Sequence, residues 1–331
     1  MAKNKLTRKC FHLIEHSLSV MADRPRLPHD RGHLLWSSED GPTRMLQASM
    51  DRWTQAVLGD DGIDMPYMGS RDNSEARIIA RSEGIICGTA VVDYMLQIWS
   101  PDIRVRWRAS DGKSVVSGDE IAELSGPAEA ILLMERSILN ILGYLGGIST
   151  EANKWARIAP KQVACTRKTV WGLLDKWAVH IGGGLTHRLN RTEAKMVKEN
   201  DLAGFDGGTQ IEKIANYLQS IDMTSFGAFL EIEVQEAKEA IVAASVWSLR
   251  KDEPDFQKLV IMLDNFGPEA SAKAVEELEA MNLREFVVLE ASGGISFDSL
   301  DEWHECGLDV VSTSAINRGT SPLDLSMLMD E

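Results

Sequence analysis

Cysteine, positive charge and long apolar runs are all scarce in this 331-residue chain, and each scarcity removes a class of function. The four cysteines, at positions 10, 87, 165 and 306, form no CxxC or CxxH spacing, so neither a zinc ribbon nor a disulfide framework is expected. They read as reduced thiols of a cytoplasmic protein. With 35 Lys and Arg against 50 Asp and Glu, the formal charge is −15, which argues against broad binding to nucleic acid or an anionic membrane. Any anion site must therefore be a local basic island. Apolar runs such as residues 130–134 fall far short of the roughly 20 residues that a bilayer demands, and residues 1–20 show no signal-peptide core. Absent too are GxGxxG, the P-loop GxxxxGK(S/T) and GxSxG, which sets aside dinucleotide oxidoreductases, P-loop enzymes and serine hydrolases of that type.

What is present is ordinary globular composition, 44% hydrophobic and 26% charged with 26 Gly and 10 Pro, at a length that predicts two domains. Residues 1–74 read as a helical extension, with helices near 5–22 and 43–58 separated by a polar stretch that Pro25, Pro28 and Gly32 break. His12 and His16 stand four apart in the first of these without a third ligand, and read as structural or surface residues. Residues 75–150 are rich in short β runs and end in an apolar helix expected to stop at the Gly146–Gly147 pair. Alternation over 103–108 puts Arg104, Arg106 and Arg108 on one strand face, read as solvated rather than as a binding stripe.

Residues 151–318 change rhythm: a short apolar strand, a polar or Gly cluster, then a helical stretch, with 319–331 left as a C-terminal segment. Strands are expected at 162–166, 177–181, 194–198, 228–234, 258–263, 285–291 and 309–315, with helices at 268–281 and 297–307. Such alternation predicts a parallel α/β fold, either an open sheet or a barrel.

Polar residues collect where those strands end: Arg167 and Lys168, His187 and Arg188, Lys198, Glu233, Asp264, Glu290 with Ser292, and Ser314. A barrel would gather them at its C-terminal mouth, where such folds place their chemistry. Residues 161–200 hold eight Lys/Arg and three acids, the basic island that the overall charge requires. Several cations and a histidine at one mouth attract a ligand with several negative charges, such as a polycarboxylate or phosphate ester. Glu233 and Asp264 follow strongly apolar sequence, positions suited to a divalent metal, ribose hydroxyls or a developing cation. Gly182–Gly184 and Ser292-Gly293-Gly294 add backbone N–H groups of the kind that hold phosphate.

These stretches have a family likeness. In order, ERSILNILGYLGGIST (135–150), TRKT (166–169), AVHIGGGLTHRLN (178–190), MVKEN (196–200), EIEV (231–234), IMLDNF (261–266) and LEASGGIS (289–296) resemble the type II phosphoribosyltransferases typified by quinolinate phosphoribosyltransferase. The similarity runs from near residue 76 to the end, and residues 1–74 match weakly. The resemblance implies an N-terminal α/β sandwich domain followed by an incomplete, TIM-like α/β barrel, in a homodimer or higher homo-oligomer. It implies transfer of phosphoribose from phosphoribosyl pyrophosphate to quinolinate with loss of CO2, a step of NAD biosynthesis. Arg167, His187, Arg188 and Lys198 would then bind the acceptor carboxylates and Lys168 the donor, while Arg136 completes the partner's site. Glu233 and Asp264 would face ribose hydroxyls and Mg2+, with Ser292, Gly293 and Gly294 near the 5′-phosphate.

Three positions depart from the family's pattern: Cys165 before TRKT, Asp201 after Lys198-Glu199-Asn200, and Ser314 where a phosphate-binding Gly is usual. They leave open another aromatic acid as acceptor, such as nicotinate. Lys198 favours quinolinate. A non-catalytic anion-binding homologue is the competing class, and the joint presence of Arg136, Arg167, Lys168, His187, Arg188, Lys198, Glu233 and Asp264 speaks against it.

Overall fold

The computed structural model describes residues 26–330, apart from 38, 70–72 and 161. Cys10, His12, His16 and the helix expected near 5–22 lie outside the described residues. A two-residue hairpin, β1 (Trp36–Ser37) with β2 (Gly41–Pro42), leads into α1 (Arg44–Asp60), the second expected N-terminal helix. Thr43 starts it by accepting the Leu46 N–H, satisfying one of the donors that a helix N-terminus leaves open.

The N-terminal domain is built on an antiparallel sheet of order β14-β3-β7-β5. Its strands are β3 (Asn73–Ala80), β5 (Arg104–Trp107), β7 (Glu120–Pro127) and β14 (Leu325–Met329), and a small hairpin pairs β4 (Gly84–Ile85) with β6 (Ser114–Val115). Val91 and Val92, from a stretch that reads as β-rich, belong instead to helix α2 (Thr89–Trp99). On β5 the alternating arginines are a surface ladder: Arg106 and Arg108 pair with Glu123, and Arg108 also with Glu120, on β7. The end of the chain is woven in, since β14 pairs with β3.

Helix α3 (Ala128–Ile158) links the domains and does not stop at Gly146–Gly147. The glycines serve close packing rather than termination. A Cβ on Gly147 would lie 2.3 Å from the Ser321 carbonyl oxygen, and one on Gly146 would lie 3.2 Å from that of Ile85. The chain leading to β14 crosses the helix at this notch. By length and composition α3 could cross a bilayer, but 67% of its apolar window is buried inside the protein, as in a core helix.

The C-terminal domain is a curled, six-stranded parallel sheet of order β8-β13-β12-β11-β10-β9. Its strands are β8 (Val163–Cys165), β9 (Lys195–Val197), β10 (Leu230–Val234), β11 (Leu259–Asp264), β12 (Val287–Ser292) and β13 (Val310–Thr313). The strand expected at 177–181 is not one: it lies in α4 (Leu173–Ile181), whose Leu174, Trp177, Ala178 and Val179 are all buried. A short helix enclosed on most sides reads like a buried strand. The seventh staff of the barrel is a single residue, Leu185, bridging Ala164 in parallel. Outside the sheet lie α5 (Gln210–Ser220), α6 (Ala237–Ser248), α7 (Pro268–Ala280) and α8 (Leu300–His304). Helix α1 packs on both α2 and α4, tying the extension to both domains.

The glycine notch predicts opposite outcomes for two Gly→Ala changes. Gly147→Ala should destabilise the fold by about 2 kcal/mol, because backbone has to move. Gly59→Ala, at an exposed position of α1 with open space around it, should stabilise by about 0.5–1 kcal/mol. Urea unfolding of the two variants tests this, and a shift of both in the same direction would contradict it.

Candidate active site

Alternate residues of a strand face opposite sides, so a sheet curled about an axis sends every second side chain inward. The lowest interior ring is apolar: Ala164, Leu185, Ala194, Phe229, Val260, Val288 and Val310 form a separate cluster. Two residues on in each staff come Thr166, His187, Met196, Glu231, Met262, Glu290 and Ser312. A further step of two gives Lys168, Lys198, Glu233, Asp264, Ser292 and Ser314, at or just beyond the strand ends. The uppermost ring therefore holds most of the residues that the sequence singles out.

Strand order arranges that ring by charge. Lys198, Glu233, Asp264, Ser292, Ser314 and Lys168 follow one another from β9 round to β8, with Asp264 in register with Ser292. Cations flank the open seam between β8 and β9, and acids and hydroxyls line the far wall. Lys198 pairs with Glu233. Among the described residues no carboxylate pairs with Arg167, Lys168 or Arg188. Arg188 is half-buried, and burial, then the neighbouring Arg167 guanidinium, push its pKa down. Adjacent cations that repel one another favour binding an anion, which relieves their repulsion.

Three side chains that sequence reasoning did not single out hold this sector in place. Asp175 accepts N–H bonds from Val170 and Trp171, at 2.8 and 3.0 Å, and the Tyr144 hydroxyl at 3.0 Å, fixing the loop that carries Arg167 and Lys168. Asn317 donates to the Lys168 carbonyl at 3.0 Å. Lys176, fully buried, donates to the carbonyls of Thr166 and Thr186 at 3.2 and 2.6 Å and so ties β8 to the segment bearing Arg188. The signal available was an Asp-Lys pair inside an otherwise apolar helix.

The far wall offers a cradle. Gly293 and Gly294 both have positive φ, 96° and 66°, and a Cβ on Gly294 would meet nothing within 4 Å. Without side chains to shield them, the N–H groups of this turn are accessible to an anion. Ser314 is half-buried beside it. Asp264 accepts the Asn265 side-chain amide at 2.8 Å.

His187 stands one ring below the mouth and is 3% exposed. Its Nδ1 accepts the Arg188 N–H at 2.7 Å, and its Nε2 lies 3.3 Å from Glu290 and 3.5 Å from Glu231. Burial pulls the imidazole pKa down, but the two carboxylates outweigh it and push the value up to about 10. Burial also works against the Glu290 charge, yet His187 and His29 hold that carboxyl well below the usual range. His187 has φ 52°, uncommon for a residue with a β-carbon, which turns its ring into the barrel. Arg136 lies on α3, outside the ring of strand ends, exposed and 3.7 Å from the Glu135 carboxylate.

Of the departures, Cys165 is buried with its Sγ facing Lys176 of α4, away from the barrel axis. Asp201 accepts the Lys198 backbone N–H at 2.9 Å, closing the turn after β9.

Comparison with known proteins agrees with this architecture. The family model described as quinolinate phosphoribosyl transferase, C-terminal domain, matches residues 148–328, and that of the N-terminal domain matches residues 56–145. The chain is 33% identical over 260 residues to a probable nicotinate-nucleotide pyrophosphorylase (carboxylating) of Methanothermobacter thermautotrophicus, covering 76% of this chain and 87% of that protein. It is 35% identical over 260 residues to the protein of the same description from Archaeoglobus fulgidus, covering 76% and 93%. Among solved structures, the nicotinate-nucleotide pyrophosphorylase from Francisella tularensis superposes with a TM-score of 0.72 at 27% identity, over 86% of this chain and 97% of that one. With both domains matched in order and the barrel's strand ends carrying the charge pattern above, the chain belongs to the quinolinate phosphoribosyltransferase family.

Proposed function

We infer that the protein transfers phosphoribose from phosphoribosyl pyrophosphate to quinolinate, releasing pyrophosphate and CO2 and forming nicotinate mononucleotide. The observation that carries this reading is the cluster of cations Arg167, Lys168 and Arg188, which pair with no carboxylate among the described residues, beside Lys198 and facing Glu233 and Asp264 across one mouth. Arg167, Arg188 and Lys198 take the acceptor's two carboxylates, a dianion matched by more charge than a monocarboxylate needs. That balance favours quinolinate over nicotinate, and Cys165 does not intrude on it. His187 acts from beneath by holding the Arg188 backbone.

Held by both carboxylates, the pyridine nitrogen is aimed at C1 of the ribose, so orientation supplies much of the acceleration. As the C1–O bond to pyrophosphate breaks, positive charge builds on the ribose and negative charge on the leaving group. Glu233 and Asp264 stabilise the first, and Lys168 the second. After the N–C1 bond forms, the ring nitrogen is positively charged. It stabilises the electron pair left on C2 when CO2 departs, and a proton then takes that place. No covalent enzyme intermediate is required. Gly293, Gly294 and the hydroxyls of Ser292 and Ser314 hold the 5′-phosphate.

Glu233 and Asp264 offer hard carboxylate oxygens at the mouth, a donor set suited to Mg2+ shared with substrate phosphates. When bound there, Mg2+ would neutralise charge on the pyrophosphate. We further assign the assembly as a homodimer in which Arg136 completes the partner's mouth: Leu132, Leu133, Arg136 and Asn140 share an exposed stretch of α3, and Leu132 is 55% exposed. The buried free thiols Cys87, Cys165 and Cys306 suit a reducing cytoplasm.

Purified protein given phosphoribosyl pyrophosphate, Mg2+ and quinolinate should release CO2, pyrophosphate and mononucleotide in equal amounts. No turnover by folded protein would contradict the assignment, and full activity in excess chelator would remove the metal from it. Lys168→Ala should lose about 100-fold or more in kcat/KM with an unchanged melting temperature. Mixing inactive Lys168→Ala and Arg136→Ala subunits should restore about a quarter of wild-type activity, because only the mixed dimer holds one complete site. No recovery on mixing would place Arg136 outside the partner's site.

A further inference from the structure

The barrel's open seam is filled by the N-terminal extension. Leu27 packs against the lowest apolar ring, and the His29 ring enters the barrel 5.2 Å from Phe229 and 4.9 Å from His187. His29 is fully buried, with Nε2 2.7 Å from the Glu290 carboxylate. The strand end that holds Glu290 and the loop that holds His187 thus meet a residue from far upstream. Among the described residues the carboxylates of Glu231 and Glu290 have no hydrogen-bond partner, and what faces them is the imidazole of His187 for both and that of His29 for Glu290.

The same segment brackets the loop that bears Arg188. The Arg31 N–H donates to the Thr186 hydroxyl at 2.9 Å, and that hydroxyl lies 3.3 Å from the His29 carbonyl. On the loop's other side, Arg31 Nε pairs with Glu193 at 2.6 Å, and the second Glu193 oxygen accepts the Leu189 N–H at 3.1 Å. A continuous chain of contacts therefore runs from His29 through Glu290 and His187 to the Arg188 backbone.

We propose that His29 is a positioning residue for acceptor binding: by holding Glu290 against His187, it fixes the direction in which Arg188 meets the acceptor's carboxylate. This rests on the reading above that Arg188 binds quinolinate. Residue 29 lies before residue 56, where the N-terminal family match begins, so the device belongs to this chain's extension. A group that orients a binding side chain affects the substrate which that side chain contacts and leaves the other substrate alone.

The test is full-length His29→Leu, which keeps volume but removes the donor, beside His29→Gln, whose side-chain amide can still donate to Glu290. His29→Leu should raise KM for quinolinate at least about tenfold, with KM for phosphoribosyl pyrophosphate within about twofold of wild type, and His29→Gln should recover most of the loss. Arg31→Ala, which releases the loop without touching the buried cluster, should raise the same KM and serves if His29→Leu does not fold. Unchanged quinolinate KM in His29→Leu and Arg31→Ala, or equal loss for both substrates without rescue by Gln, would overturn the proposal while leaving the reaction assignment intact. Wild-type protein that fails to turn over quinolinate would overturn both. One equivalent of a transition metal in the purified protein would make His29, His187 and Glu290 a metal centre and also overturn it, since their ligand atoms lie within 4.8 Å of one another.

Discussion

The period of two along a β-strand governs this molecule. Once parallel strands curl about an axis, every second side chain faces inward, and three inward positions per strand stack as three rings. Val260, Met262 and Asp264 show the rule on β11, as do Val288, Glu290 and Ser292 on β12. The apolar ring excludes water from below, and the polar ring opens to solvent above. Between them, Glu231, Glu290, His29 and His187 form a buried polar layer closed off from solvent. Low dielectric makes that layer stiff, because breaking any one pair strands a charge.

Curling six strands does not close a barrel, and the unfinished seam shapes the rest of the chain. Its edges, β8 and β9, are exposed backbone unless covered. Leu185, the loop to Glu193 and residues 27–31 cover them, and that same loop carries Arg188. The opposite end of the chain behaves alike, with β14 completing the N-terminal sheet after crossing α3 at its glycine notch. Both termini of the described chain finish structures begun elsewhere. Folding of the two domains is therefore coupled through segments that local sequence does not connect.

Strands with clean alternation were legible from sequence, and with them the polar residues of the upper ring, because periodicity is a local property. Residues 177–181 misled because a nine-residue helix buried against α3 lacks a polar face to reveal its period. Gly146 and Gly147 misled because a helix stop and a packing notch demand the same residue. Glu290 was visible as a polar strand-end residue, yet its place one ring below Ser292 depends on where β12 stops. His29 was beyond reach: it sits in a stretch whose prolines suggest only a linker, and its partners lie more than 150 residues away. Arg136 lies exposed on α3, outside the ring of strand ends, and the role given it above rests on the proposed dimer.

The reaction proposed above requires the cations beside the seam to be a dicarboxylate site. A crystal structure of the protein soaked with quinolinate alone tests it most directly. One quinolinate per mouth is expected, with its carboxylates against Arg167, Arg188 and Lys198 and its ring nitrogen turned toward Glu233 and Asp264. Quinolinate bound elsewhere, or a saturated crystal whose mouth holds only solvent, would contradict it.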